Sequence, residues 1–196
     1  MRIGDLFPTS DKIMCFLLFP LLQYSNCKRS ELSPTMDKVI KVGLAEVKTA
    51  TKPDILATTP LGSCVAVILY DESMGIGSMA HIMLPDINLA KAKNNRSKFA
   101  NTAVEVMLKE MLDLGASKRR IKAKIVGGAN MFPTVNRDNP MHIGLRNVAA
   151  VKNELKRQKI RLVAEDTGGN YSRSVEFFIE TREVRIRAFL QSNKEI

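Results

Sequence analysis

Apolar positions along this chain form short runs with a period near two and longer runs at helical spacing. Val39-Ile40-Lys41-Val42-Gly43-Leu44-Ala45-Glu46-Val47 reads as a strand. Residues 52–63 read as a loop around Pro53 and Pro60. Residues 64–70 and 75–84 are nearly continuous apolar runs. They predict two buried strands joined by a hairpin-like turn at Asp71-Glu72-Ser73-Met74-Gly75. A polar loop over 86–97 follows. Ala100, Ala103, Val104, Met107, Leu108, Met111 and Leu114 fall at helical spacing, and Gly115 closes that helix. Its methionines read as core filler. Lys122 to Val126 predicts a strand ending at Gly127-Gly128. Leu145, Val148, Ala149, Lys152 and Leu155 mark a second helix, with the Lys152 stem lying along apolar surface. Arg161 to Glu165, Ser174 to Glu180 and Glu183 to Phe189 predict three more strands. There are no internal repeats. The elements sum to a single α/β domain with a mixed β-sheet and two main helices.

Residues 1–35 do not share this patterning. Ile13 to Tyr24 is mostly apolar but is interrupted by Pro20, and a membrane-spanning helix needs ~20 apolar residues. The segment is also a poor signal peptide, because Asp5 and Asp11 precede it and no Ala-x-Ala-like site follows. Ser25-Asn26-Cys27 lacks the small residue expected before a lipidated cysteine. The expectation is an N-terminal extension over 1–35, outside the functional chain, then one domain over 36–196 with no integral membrane segment. A membrane tether is the competing reading of 1–35.

Composition adds limits. The chain has 196 residues, enough for one domain with a real core. Cys15, Cys27 and Cys64 are too few and too irregularly spaced for a disulfide framework. No Cys-x-x-Cys or His/Cys cluster suggests zinc, and His81 and His142 are the only histidines. Nothing points to a metal or an organic cofactor. The net charge is +10, and residues 91–124 hold ten Lys/Arg against three acids, a local net of +7. Such a run either steers an acidic partner or is a solvated face. Three tyrosines and no tryptophan leave little to stack on bases, so nucleic acid is not the expected partner.

The candidate chemistry centres on Cys64. It lies in Thr-Thr-Pro-Leu-Gly-Ser-Cys (58–64), at the entrance of an apolar strand, and His81 lies within the next apolar run. A thiol and an imidazole on neighbouring strands can form a nucleophile with its base. Each has an ordinary structural reading too. A free cysteine is often a small buried hydrophobe, and a core histidine often has a satisfied hydrogen bond. Gly62 and Ser63 either open backbone N–H groups to an oxyanion or simply make a tight turn. Gly127-Gly128 and Thr167-Gly168-Gly169 lack phosphate-loop spacing and read as close backbone approach at the rim of a site.

Leu-Gly-Ser-Cys-Val-Ala-Val (61–67), Met-Ala-His-Ile-Met-Leu-Pro (79–85), Lys-Ile-Val-Gly-Gly-Ala-Asn-Met-Phe (124–132), Ile-Gly-Leu-Arg-Asn (143–147) and Ala-Glu-Asp-Thr-Gly-Gly-Asn (164–170) occur in this order. Together they resemble the chemoreceptor glutamine deamidases, the CheD family of prokaryotic chemotaxis, over roughly residues 38–189. The resemblance implies a layered α/β sandwich and a Cys-His-Thr triad. The threonine lies six positions before the cysteine and the histidine seventeen after, which gives Thr58, Cys64 and His81. Without it, Thr58 and Thr59 are equal choices. It further implies a cytoplasmic protein-glutamine deamidase acting on chemoreceptor cytoplasmic helices. A chemotaxis phosphatase of the CheC type would be a partner, with 130–147 a candidate contact. A receptor glutamyl methylesterase and a non-catalytic adaptor that binds receptor and phosphatase are the alternative functions. In the implied chemistry, His81 lowers the Cys64 pKa, the thiolate attacks the amide carbon and His81 protonates the departing ammonia.

Overall fold

Val65–Asp71 is buried at every position, and its two faces enter two different cores. The structure is a computed structural model that describes residues 37–90, 92–131, 142–188 and 194–196. The expectation for 1–35 lies outside the described residues. In chain order the strands are β1 (Val39–Lys41), β2 (Val47–Thr51), β3 (Ile55–Leu61), β4 (Val65–Asp71), β5 (Ile76–Ile82), β6 (Lys122–Gly127), β7 (Arg161–Thr167), β8 (Arg173–Phe178), β9 (Val184–Ala188) and β10 (Lys194–Glu195). The helices are α1 (Ala100–Asp113) and α2 (Ile143–Arg157).

Two mixed sheets form, in the orders β1-β3-β8-β9-β10 and β2-β5-β4-β6-β7. Side chains alternate across a strand. Val65, Val67 and Leu69 therefore face α1 and α2, against Val104, Met107, Met111, Val151 and Leu155. Ala66, Ile68 and Tyr70 face the other sheet, against Leu56, Val175, Phe177 and Ile186. The layers run helices, sheet, sheet. The α/β layered sandwich with two main helices is as expected, and its β layer is double. Fully burying each Leu, Ile or Phe here contributes about 1.5–3 kcal/mol, so the central strands are fixed from both sides.

Four local expectations change. Residues 39–47 are not one strand. Ala45 takes φ +56 and Leu44 is exposed, so the chain leaves the first sheet after β1 and enters the second at β2. Residues 52–63 are not a loop throughout. β3 runs through Pro60, which has no N–H, and its pairing with β8 slips between Thr58 and Leu61. The buried face of α2 is Gly144, Asn147, Val148, Val151, Glu154 and Leu155; Leu145 is 56% exposed and Ala149 is exposed. The expected stripe was turned away from this face because three of its members are not apolar. In the first helix the apolar stripe ends at Met111, and Leu114 is 51% exposed just beyond α1.

Five of the ten basic residues at 91–124 are tied up locally by carboxylates or backbone carbonyls. Arg96 pairs with Glu105, Lys109 with Asp113 and Lys122 with Glu72. Arg120 holds the buried Asp71 carboxylate, with Nη2 at 2.8 Å and Nε at 3.1 Å. Lys124 is buried and donates to the Arg182 and Ile196 carbonyls. These contacts favour a local structural role for those five residues over a single steering patch that includes them.

Candidate active site

The site is built where β3 of one sheet crosses β5 of the other. His81 lies near the end of β5, opposite Ala66 on β4. Its backbone is held on the β2 side, with His81 N–H donating to Glu46 O at 3.0 Å and Ala45 N–H donating to His81 O at 3.0 Å. Cys64 immediately precedes β4 and lies two residues from Ala66. It therefore shares the inter-sheet face with His81 as a diagonal neighbour.

Thr58 projects from β3 into the same layer. Its Oγ1 is 2.8 Å from His81 Nδ1 and donates to the Val42 carbonyl at 2.7 Å. A hydroxyl has one proton. Because that proton goes to Val42, Oγ1 accepts from Nδ1–H. The neutral imidazole then carries its lone pair on Nε2. Nε2 is buried and has no hydrogen-bond partner among the described residues. His81 is 1% exposed and Thr58 4%, whereas Cys64 is only partly buried, so the thiol is the member of the three that solvent reaches. The structure joins Thr58 to His81. It brings Cys64 to the same face but makes no thiol–imidazole hydrogen bond at rest. Of the two threonines, Thr58 reaches His81, whereas Thr59 Oγ1 meets Ser174 Oγ at 2.6 Å on the exposed side.

The electrostatics differ from the expected ion pair. Burial pushes the Cys64 thiol above the ordinary cysteine range and the His81 imidazole below the ordinary histidine range. Both shifts favour neutral forms, so the resting pair is thiol and imidazole.

Three consecutive carbonyls beside the thiol are claimed from the far side. Gly62 O accepts from Ala129 N–H at 2.9 Å, Ser63 O from Asn147 Nδ2 at 3.0 Å and Cys64 O from Gly128 N–H at 2.7 Å. Gly127 has φ +114, and a side chain there would run into the Cys64 carbonyl oxygen. The Gly127-Gly128 pair thus serves close approach, as expected of it. No acceptor among the described residues takes the N–H of Ser63 or Cys64. Asn147 is the site-neighbouring residue whose part the sequence reading missed. The available signal was an amide in the apolar stripe of a helix. No group of three or more His, Cys, Asp or Glu among the described residues is arranged to hold a metal ion, and no described helix is long and apolar enough to cross a membrane.

A family model described as CheD chemotactic sensory transduction matches residues 83–188. A Halalkalibacterium halodurans protein named chemoreceptor glutamine deamidase CheD is 44% identical over 162 residues, covering 82% of this chain and all of the relative. The Bacillus subtilis protein of the same name is 42% identical over 166 residues, covering 84% of this chain and all of its own length. Among solved structures, a Neisseria meningitidis protein matches at TM-score 0.41 and 10% identity, over 68% of this chain and 65% of its own; so loose a likeness carries no argument. The layered sandwich and the length of these matches define one class: this chain belongs to the CheD family of chemotactic sensory transduction.

Proposed function

We propose that this chain is a protein-glutamine deamidase that converts chemoreceptor glutamines to glutamate, with Cys64 as nucleophile, His81 as proton carrier and Thr58 as the group that orients His81. The observation that carries the mechanism is the Thr58–His81 bond, which leaves Nε2 basic on the face shared with the accessible thiol. The names of the relatives support the substrate. As Sγ bonds to the amide carbon, its proton passes to Nε2. The carbonyl oxygen gains negative charge, and the open N–H groups of Ser63 and Cys64 are suited to receive it. His81 returns the proton to the amide nitrogen, the C–N bond breaks and ammonia leaves a thioester. Water then attacks that carbon, His81 takes its proton, and as the C–S bond breaks His81 returns that proton to Sγ, giving glutamate, the free thiol and neutral imidazole. A protein that acts on receptor cytoplasmic helices works in the cytoplasm. A CheC-type phosphatase is the further partner suggested by the family resemblance, through segment 130–147, of which 132–141 lie outside the described residues.

The test is mass spectrometry of a purified receptor cytoplasmic fragment incubated with the protein. Exchange of NH₂ for OH adds about 1 Da at defined glutamines and releases ammonia. Loss of methyl groups from glutamyl esters without this gain indicates the methylesterase. Stable binding with neither change indicates the adaptor.

The orienting role predicts a graded series. Thr58→Val removes both the acceptor for Nδ1–H and the donor to Val42, and kcat should fall about 10-fold to 100-fold, because mispositioning costs on that scale. Thr58→Ser keeps the hydroxyl and should stay within about threefold of wild type. Thr59→Ala, on the exposed side, should change little. Steady-state ammonia release on the receptor fragment reads all three. A larger loss in Thr59→Ala than in Thr58→Val overturns the assignment.

The neutral resting pair predicts a pH profile. His81 must be unprotonated to accept the thiol proton, so the acid limb of kcat/KM should lie below 6.5, since burial lowers its pKa. Cys64 must still carry its proton in the resting form, so the alkaline limb should lie above 9.0. Thiolate absorbance near 240 nm should appear only with the alkaline limb. Thiolate already present at neutral pH would mean a resting ion pair.

A further inference from the structure

Asn147 sits in the second turn of α2, is 0% exposed, and reaches the sheet from the side opposite to Cys64 and His81. Its Nδ2 donates to Ser63 O at 3.0 Å and to Met83 O at 2.9 Å. Ser63 immediately precedes the nucleophile, and Met83 is two residues beyond His81.

The location has a specific consequence. The β4–β5 ladder ends at the pair Val65 and Ile82. Beyond it lie Cys64 and Met83, and the ladder stops because the Leu84 N–H that would reach Ser63 O goes to Lys98 O at 3.1 Å instead. Here the two strands lose their direct bonds at the point where the thiol and imidazole must keep their spacing. One amide spans the gap by giving a hydrogen to each strand.

The amide orientation is fixed by the same contacts. A flipped Asn147 would set its oxygen against two carbonyl oxygens. In the observed orientation Oδ1 is buried and accepts nothing from the described residues. An unsatisfied buried acceptor destabilises the fold, and an apolar side chain would suit the stripe better. The amide's contribution at this position is therefore its two donated bonds.

We propose that Asn147 is a positioning residue that sets the Cys64–His81 spacing by clamping the open end of the β4–β5 hairpin from behind the sheet. This rests on the deamidase reading for its consequence in catalysis. Its geometric content can be read on the thiol alone.

The experiment measures alkylation of Cys64 by iodoacetamide across pH 5–10 in the full chain. It uses wild type, Asn147→Ser, His81→Ala and the double variant, each checked by thermal melting. With His81 present, transient proton transfer to Nε2 should give a pH-independent stretch of reactivity between the two titrations. His81→Ala should abolish that stretch. Asn147→Ser should lower it about tenfold when His81 is present and change the rate less than about twofold when His81 is absent, because the clamp acts only through the pair. On the receptor fragment kcat should fall by a similar factor while KM stays within about twofold. A purely structural role would change alkylation equally in both backgrounds, and that result, or no change in either, overturns the proposal. If Asn147→Ser melts below the assay temperature, Asn147→Leu, of nearly the same shape and apolar like its surroundings, takes its place and is held to the same comparison. Wild-type protein that alkylates as described but releases no ammonia from receptor would sink the deamidase reading and leave the clamp standing.

Discussion

Replacing Cys64 with alanine is expected to lower ammonia release from a receptor fragment by about 10³-fold or more, with the fold intact. The proposed reaction routes both covalent steps through Sγ, and Cys64 is the only cysteine among the described residues. The sulfur packs only at the margin of the inter-sheet core, so its removal should cost about 1 kcal/mol of stability, a shift of a few degrees in melting temperature. Cys64→Ser separates nucleophile from shape. The hydroxyl occupies nearly the same space but gives up its proton far less readily, and a base with a lowered pKa such as His81 does little to help it. Serine should therefore be nearly as inactive as alanine. Activity within about tenfold of wild type in either variant, measured at saturating receptor, would remove Cys64 from the chemistry.

The parts of the fold that were legible in the sequence are those where one environment covers a whole element. β4 and β5 are buried at every position, so they appear as nearly continuous apolar runs. α1 buries one continuous stripe, and its spacing is visible directly. The parts that were not legible are those where a non-apolar residue is buried or a backbone turns without a usual marker. Ala45 adopts a left-handed conformation that nothing in an alanine announces, and this divides what reads as one strand. Pro60 reads as a loop signal, yet β3 absorbs it at a slip in register. In α2 the buried side includes Gly144, Asn147 and Glu154. Each is there for a specific contact: close approach to Gly128 and Ala129, the two clamped carbonyls, and the ion pair with Arg157.

The site divides along the same line. Residue types and motif order bring out Cys64 and His81. Thr58 depended on the family spacing, because its partner comes from another sheet, 23 residues away. Its separation from Thr59 is a matter of which face of β3 each residue takes, and a strand read as a loop has no faces. The direction of the thiol's pKa was also out of reach. Pairing a cysteine with a histidine suggests a lowered value, but burial acts on both groups and pushes the thiol up instead.

His81→Ala should be the second most damaging change, with kcat reduced about 10²-fold to 10⁴-fold, the range general acid–base groups supply. Two transfers are lost together: removal of the thiol proton and protonation of the leaving nitrogen. The thiol pKa is raised by burial, so without His81 almost no thiolate exists at neutral pH. The residual rate should then rise with pH as Cys64 ionises, where wild type is flat. That change of shape separates loss of a base from loss of structure, because a loosened fold would lower the rate at every pH without a new slope. His81→Ala leaves the Thr58 hydroxyl bonded to Val42, so the β3 contact survives, while the cavity left by the buried ring should lower the melting temperature by several degrees, more than Cys64→Ala does. Supplying imidazole in solution should restore part of the activity of His81→Ala, and none of that of Cys64→Ala, since a small base can replace a proton carrier but not a nucleophile. A His81→Ala enzyme that keeps the flat wild-type profile would assign the proton transfers to another group and reduce His81 to a core residue.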